Sequence, residues 1–149
     1  MNTNQTLRGF ATISYWAEDM EAASKWYSEL LGIAPYFERS GPNGKLVYAE
    51  FRVGDYQHEL GLINRKYAPP QATAGLGGSI MYWHVDDIDA TVNRLKAMGA
   101  EEYEPIQHRG EGFITASVID PFGNVLGIMY NQHYLDMLNF VKGDRNHDH

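Results

Sequence analysis

Apolar positions along the chain follow two alternating rhythms, and the order of the rhythms repeats. Residues 10–16 are rich in aromatic and β-branched side chains, which predicts a strand. Met20, Ala23, Tyr27, Leu30 and Leu31 then recur at three- and four-residue spacing, placing them on one face of a helix. Asp19 is positioned to cap that helix, Glu18 and Glu21 sit near its positive end, and Gly32 stops it. Residues 33–39 predict a strand, 40–44 a loop and 46–53 an alternating strand. Gly54 and Asp55 form a two-residue hairpin turn, with 57–63 as the partner strand. The order is βαβββ.

Residues 65–78, with Pro69, Pro70, Gly75, Gly77 and Gly78, break the pattern and read as a linker. The pattern then returns. Residues 79–85 are strand-like, Asp87 caps a helix bearing Ile88, Thr91, Leu95 and Met98, and Gly99 ends it. Strands follow near 103–108, 113–119 and 125–131. The two helix caps lie 68 residues apart, and that offset also superposes Tyr15 and Trp16 on Trp83 and His84, and Thr12 on Ile80. The chain therefore divides into a first module (8–64), a linker (65–78), a second module (79–131) and a tail (132–149). In the tail, Tyr134, Leu135, Leu138 and Phe140 predict a short helix, followed by disorder beyond Gly143.

Within each module the helix connects two strands of one sheet by a crossover, while short hairpins join the rest. The expected fold is α+β: two βαβββ modules forming curved mixed sheets around a shared cavity, built within one chain or across a homodimer. A net charge of −7 argues against nucleic acid or an anionic membrane as partner. With no cysteine, thiolate chemistry and disulfides are excluded. No stretch approaches the ~20 apolar residues of a membrane span, and the polar first residues lack a signal-peptide core, so a cytoplasmic location is expected.

The turn Asp120-Pro121-Phe122-Gly123-Asn124 links two strands, with Asp-Pro to start it and Gly-Asn to allow positive φ. With the duplicated βαβββ order and the acidic cap after each first strand, it resembles the vicinal oxygen chelate superfamily. That superfamily includes glyoxalase I, bleomycin-resistance proteins, extradiol dioxygenases and fosfomycin-resistance enzymes, and the resemblance covers residues 8–131. In metal-using members, four inward positions bind the ion, and the resemblance carries them to Thr12, Glu59, Ile80 and Gly127. Of these, Glu59 alone has an ordinary ligand side chain, since a divalent ion takes several oxygen or imidazole donors. The resemblance thus implies the fold, while the residues present predict no metal and no cofactor. Gly127 leaves room where a metal-using relative carries charge.

Strand alternation selects the remaining candidates. Thr12, Ser14 and Trp16 share one face, as do Ile80, Tyr82 and His84, and the resemblance makes these faces the cavity wall. Thr115 and Ser117, with Gly127, Met129 and Asn131, complete the lining expected of a small-molecule pocket; aromatic residues at this spacing are also ordinary core. Glu59, desolvated and without a metal, would act as a general base, or else pair with a nearby arginine or Thr12. His84, beside Tyr and Trp, would act as an acid or base, or else be a hydrogen-bonded histidine at a strand end. His133, His147 and His149 read as surface residues, His58 falls on the face opposite Glu59, and His108, beside Arg109 at a hairpin, is either solvated or at a pocket rim.

Three functions compete. The first is metal-independent binding of a small aromatic or carbonyl-containing molecule, as in bleomycin resistance, with the protein a homodimer. The second is a metal-independent lyase or isomerase using Glu59 or His84 as catalytic base. The third is a divalent-metal lyase or dioxygenase resembling glyoxalase.

Overall fold

The computed structural model describes residues 5–72, 75, 76 and 78–147. The chain divides after Ala72 into two compact units. In the first, β1 (Thr12–Ala17) leads into α1 (Met20–Leu31), followed by β2 (Phe37–Ser40), β3 (Leu46–Val53) and β4 (His58–Asn64). The sheet order is β1-β4-β3-β2, with β1 parallel to β4 and the other pairs antiparallel. The second unit repeats this with β5 (Met81–His84), α2 (Ile88–Ala97), β6 (Glu101–Gly110), β7 (Phe113–Ile119) and β8 (Val125–Asn131), in the order β5-β8-β7-β6. A final helix, α3 (Gln132–His147), follows β8 directly. Two units with one sheet order confirm the α+β fold and the duplication read from the sequence.

The helix caps form as the sequence predicts. Asp19 Oδ1 accepts from the Ala22 amide, and Asp87 Oδ1 from the Ala90 amide. Gly32 takes a left-handed conformation (φ 71°) and donates to the Ser28 carbonyl. At the end of α2, Gly99 (φ 96°) donates to Lys96 and Ala100 donates to Leu95, the paired bonds of a Schellman motif.

Each helix covers one face of its sheet. Met20, Ala23, Trp26 and Tyr27 of α1 are buried, as are Tyr15, Ala17, Ala49, Phe51, Leu60 and Leu62 from the strands. In the second unit Ile88, Val92 and Leu95 of α2 are buried, together with Ala116, Val118, Leu126 and Ile128. Full burial of a side chain such as Phe51 or Leu60 contributes roughly 1.5–3 kcal/mol, so this face carries most of each unit's stability. The opposite face of each sheet is not covered by α1 or α2, and the candidate residues fall there; in the second unit Tyr134 of α3 packs on that face at His84.

Several boundaries differ from the sequence reading. β1 begins at Thr12, leaving Phe10 95% exposed, because among the described residues no strand pairs with the chain before Thr12. Ile80 precedes β5 rather than lying in it. The expected two-residue hairpin is a four-residue turn over 54–57, in which Gly54 (φ 71°) and Gln57 (φ 55°) both take positive φ. The segment read as linker contains a single 3-10 turn, Arg65–Tyr67; Thr73, Ala74 and Gly77 lie outside the described residues. Helix α3 continues through His147, beyond the short helix predicted and into residues read as disordered. His149 lies outside the described residues.

Candidate functional site

Strand register arranges the open face of the first unit in three rows. Thr12, Glu59 and Arg52 form one; Ser14, Gly61, Glu50 and Phe37 the next; Trp16, Ile63, Tyr48 and Arg39 the third. Three residues of β3, namely Tyr48, Glu50 and Arg52, thus join the predicted Thr12, Ser14, Trp16 and Glu59. The sequence did carry a signal for them. Over 46–53 they alternate with the apolar Val47, Ala49, Phe51 and Val53, which marks them as one face of a strand.

These side chains form a connected network. The Tyr48 hydroxyl donates to Glu50 Oε1 at 2.9 Å. Arg52 donates from Nε to Glu50 Oε2 at 3.2 Å, and its Nη2 lies 3.2 Å from the same oxygen, so one carboxylate oxygen faces both nitrogens of that edge. The same Nη2 lies 3.6 Å from Glu59 Oε1, and the Arg52 guanidinium sits over the Tyr36 ring, 4.5 Å from its centroid. Side-chain exposure rises outward, from 13% at Glu50 to 33% at Glu59 and 40% at Arg52.

Gly61 lies beneath this network. A Cβ added there would meet Tyr48 Cε1 at 3.3 Å and Oη at 3.4 Å, so the phenol occupies the space a side chain would need. Burial, with the Glu50 hydrogen bond and the neighbouring negative charges, pushes the Tyr48 phenol up to about 12. Glu50 is held below the ordinary carboxylate range, chiefly by the Tyr48 hydrogen bond. Hydrogen bonding with Glu59 and Arg52 adds to this, against the opposing effect of burial. At neutral pH the face therefore presents a neutral phenol and an ionised Glu50. Glu59, ion-paired and a third exposed, is not the desolvated, unpaired carboxylate expected from the sequence; the alternative of an arginine partner is the one realised.

The open face of the second unit follows the same grid. Tyr82, Gly127, Ser117 and Glu104 make one row, and His84, Met129, Thr115 and Gln107 another, with Asn131 opposite Phe113. The register thus brings the predicted Tyr82, Thr115, Ser117, Gly127, Met129 and Asn131 onto one face. Their polar groups are engaged within the sheet. Ser117 donates to Glu104 at 3.3 Å, and Arg109 Nε donates to Thr115 at 3.1 Å. Asn131 caps α3, its Oδ1 accepting from the His133 amide at 2.9 Å, while its Nδ2 contacts Met129 Sδ at 3.4 Å.

His84 is held from every side. The Asn131 amide donates to Nδ1 at 3.2 Å, so the proton of the neutral ring resides on Nε2, which donates to Asp86 Oδ1 at 3.2 Å. Tyr134 of α3 stacks on the ring, with centroids 4.8 Å apart and planes 9° from parallel, and Tyr130 lies 5.4 Å away. With 8% of its side chain exposed and both nitrogens bonded, His84 fits the strand-end structural reading better than that of an acid or base.

The space at Gly127 is filled, contrary to the room expected there. A Cβ would stand 2.7 Å from Tyr82 Cδ1 and 2.8 Å from Ile80 Cγ2. Strand pairing also revises the carried-over positions. Ser14 pairs with Gly61 as Tyr82 pairs with Gly127, so the counterpart of Gly127 in the first unit is Gly61, two residues beyond Glu59. Each unit thus has a tyrosine over the corresponding glycine. A hydroxyl, one ion-paired carboxylate, an alkyl side chain and a glycine do not make the donor set of a divalent ion. Among the described residues no three His, Cys, Asp or Glu side chains converge on such a set elsewhere. Nor, among them, is any helix long and apolar enough to cross a membrane.

Solved structures share this fold. A glyoxalase-related enzyme from Fulvimarina pelagi superposes with a TM-score of 0.64 at 22% identity, over 85% of this chain and 90% of that one. A bleomycin resistance determinant encoded on the transposon Tn5 gives 0.56 at 21% identity, over 83% and 98%. The fosfomycin resistance protein FosX from Listeria monocytogenes, complexed with Mn(II), gives 0.63 at 12% identity, over 83% and 90%. No curated protein matches the chain significantly. The match to the family itself spans residues 9–128, and with it the chain belongs to the Glyoxalase/Bleomycin resistance protein/Dioxygenase superfamily.

Proposed function

We propose that this protein binds a small, planar, aromatic or carbonyl-containing molecule without a metal, and that the open face of the first unit supplies the recognition. The observation that carries this reading is the grouping of Trp16, Tyr36 and Phe37 with the Tyr48–Glu50–Arg52–Glu59 network on the sheet face opposite α1. Aromatic surface with a few fixed polar groups is the composition of a small-molecule site. Thr12 and Ser14, both exposed, add hydroxyls to the same rows.

Metal independence rests on the donor set and on Tyr82 filling the space at Gly127. The likeness to a bleomycin resistance determinant agrees with a binding role. The reading also takes the protein as a homodimer, for which sedimentation should return twice the chain mass.

Titration with a panel of planar aromatic compounds tests the proposal through tryptophan fluorescence. Saturable quenching is expected, abolished by Trp16→Ala, with each compound recovered unchanged. A compound recovered chemically altered would overturn the binding reading in favour of the metal-independent lyase or isomerase, and loss of that turnover in Glu59→Gln would assign the base.

A further inference from the structure

Glu50, Glu59 and the Tyr36 ring surround a single positive group, the Arg52 guanidinium, and the Tyr48 phenol braces Glu50. Each neighbour matches a different part of a planar cation. Glu50 Oε2 meets one edge, facing both Nε and Nη2, Glu59 approaches the same terminal nitrogen from the next strand, and Tyr36 lies against the flat face. Tyr48 contributes a donor that fixes the carboxylate rather than a charge of its own. Two carboxyl groups thus face one guanidinium. Arg39, on the same face, lies over Phe37 rather than between the carboxylates.

The occupant of this niche is its most exposed charged member, two residues from the turn over 54–57. Arg52 is thus the more exposed partner, whereas Glu50 keeps the Tyr48 hydrogen bond to Oε1 when the guanidinium leaves.

We propose that this niche is a binding site for planar organic cations of the amidinium or guanidinium class, and that Arg52 is its displaceable resident. This deepens the proposed binding function and rests on it: the open face takes an aromatic body, and the niche takes a cationic head in place of Arg52. The resident competes intramolecularly, which weakens binding to the intact protein and restricts it to ligands that reproduce both the charge and the flat shape. An anionic head meets two carboxylates and is excluded.

Benzamidine is the probe, with uncharged benzamide of the same shape as control. Calorimetric titration of Arg52→Ala should give saturable 1:1 binding of benzamidine and none of benzamide, with the intact protein about tenfold or more weaker because of its internal competitor. Adding Glu50→Gln to Arg52→Ala should remove the binding. If Arg52→Ala does not fold, the intact protein carries the test: saturating benzamidine should shift the Arg52 Nε–H resonance toward its free position. No binding by folded Arg52→Ala, equal binding to the intact protein, or an Arg52 resonance unmoved at saturation would each overturn the assignment. Equal binding of benzamide and benzamidine would overturn the cation niche and leave the aromatic-binding reading standing.

Discussion

At the scale of single residues, the two tyrosines over glycines make different demands. At Gly127 the nearest atoms would stand 2.7–3.0 Å from an added Cβ, and one of them is the Met81 carbonyl oxygen, which the sheet holds in place. Gly127→Ala should therefore cost about 1–3 kcal/mol by overpacking, whereas Gly61→Ala, with first contact at 3.3 Å, should cost less; thermal denaturation compares the two. Equal costs would show that Tyr82 moves aside freely.

The Tyr48–Glu50 pair adds a pH signature. Glu50 is depressed in the fold, so its contribution is present above the unfolded value of 4.5 and is lost as pH falls through the lower folded value. Tyr48 is raised from 10.0 to about 12, so the folded state holds its proton longer and stability falls as pH rises across that window. Denaturant midpoints measured against pH should show both losses, and Tyr48→Phe should abolish the alkaline one. Of these residues the sequence disclosed Glu59 but not its partners. Alternation shows that Tyr48, Glu50 and Arg52 share a face, but whether that face meets α1 or lies open depends on how the strands pair.

Among the elements, the turn between β7 and β8 was the most legible. Asp120, buried, accepts from the Phe122 and Asn124 amides at 2.9 and 2.8 Å and from the Asn124 side chain at 3.0 Å, while Gly123 takes φ 90°. Asp120→Ala should destabilise by roughly 2–4 kcal/mol, because buried donors lose their acceptor; chemical denaturation reports it, and a change below 1 kcal/mol would count against that account. The start of α3 depends on contacts that no local pattern encodes. His84 and Tyr134 are fifty residues apart in sequence, and Asn131 reads as the end of a strand until its side chain is seen capping the helix. In His84→Ala, amide protection in the first turn of α3 should fall while that of α2 is retained, as hydrogen exchange will show. Unchanged protection would mean that the stack does not anchor the helix.

For the whole molecule, the duplicated order, the paired helix caps and the single Asp-Pro-x-Gly turn were enough to identify the fold, because each is a local signal and the order and caps occur twice. Chemistry was less legible, because it depends on side chains from separate strands meeting on one face. The sequence showed that Gly127 brings no ligand; that Tyr82 fills its space became visible only with β5 paired to β8.

The central claim is recognition of a small molecule without a metal, and affinity measured with and without a strong chelator tests it most directly. An aromatic ligand selected by tryptophan quenching, titrated into metal-free protein and again after supplementation with Ni, Zn, Mn and Fe, should bind equally in every case. Binding that appears only with metal, or a metal retained at one ion per chain, would contradict the account.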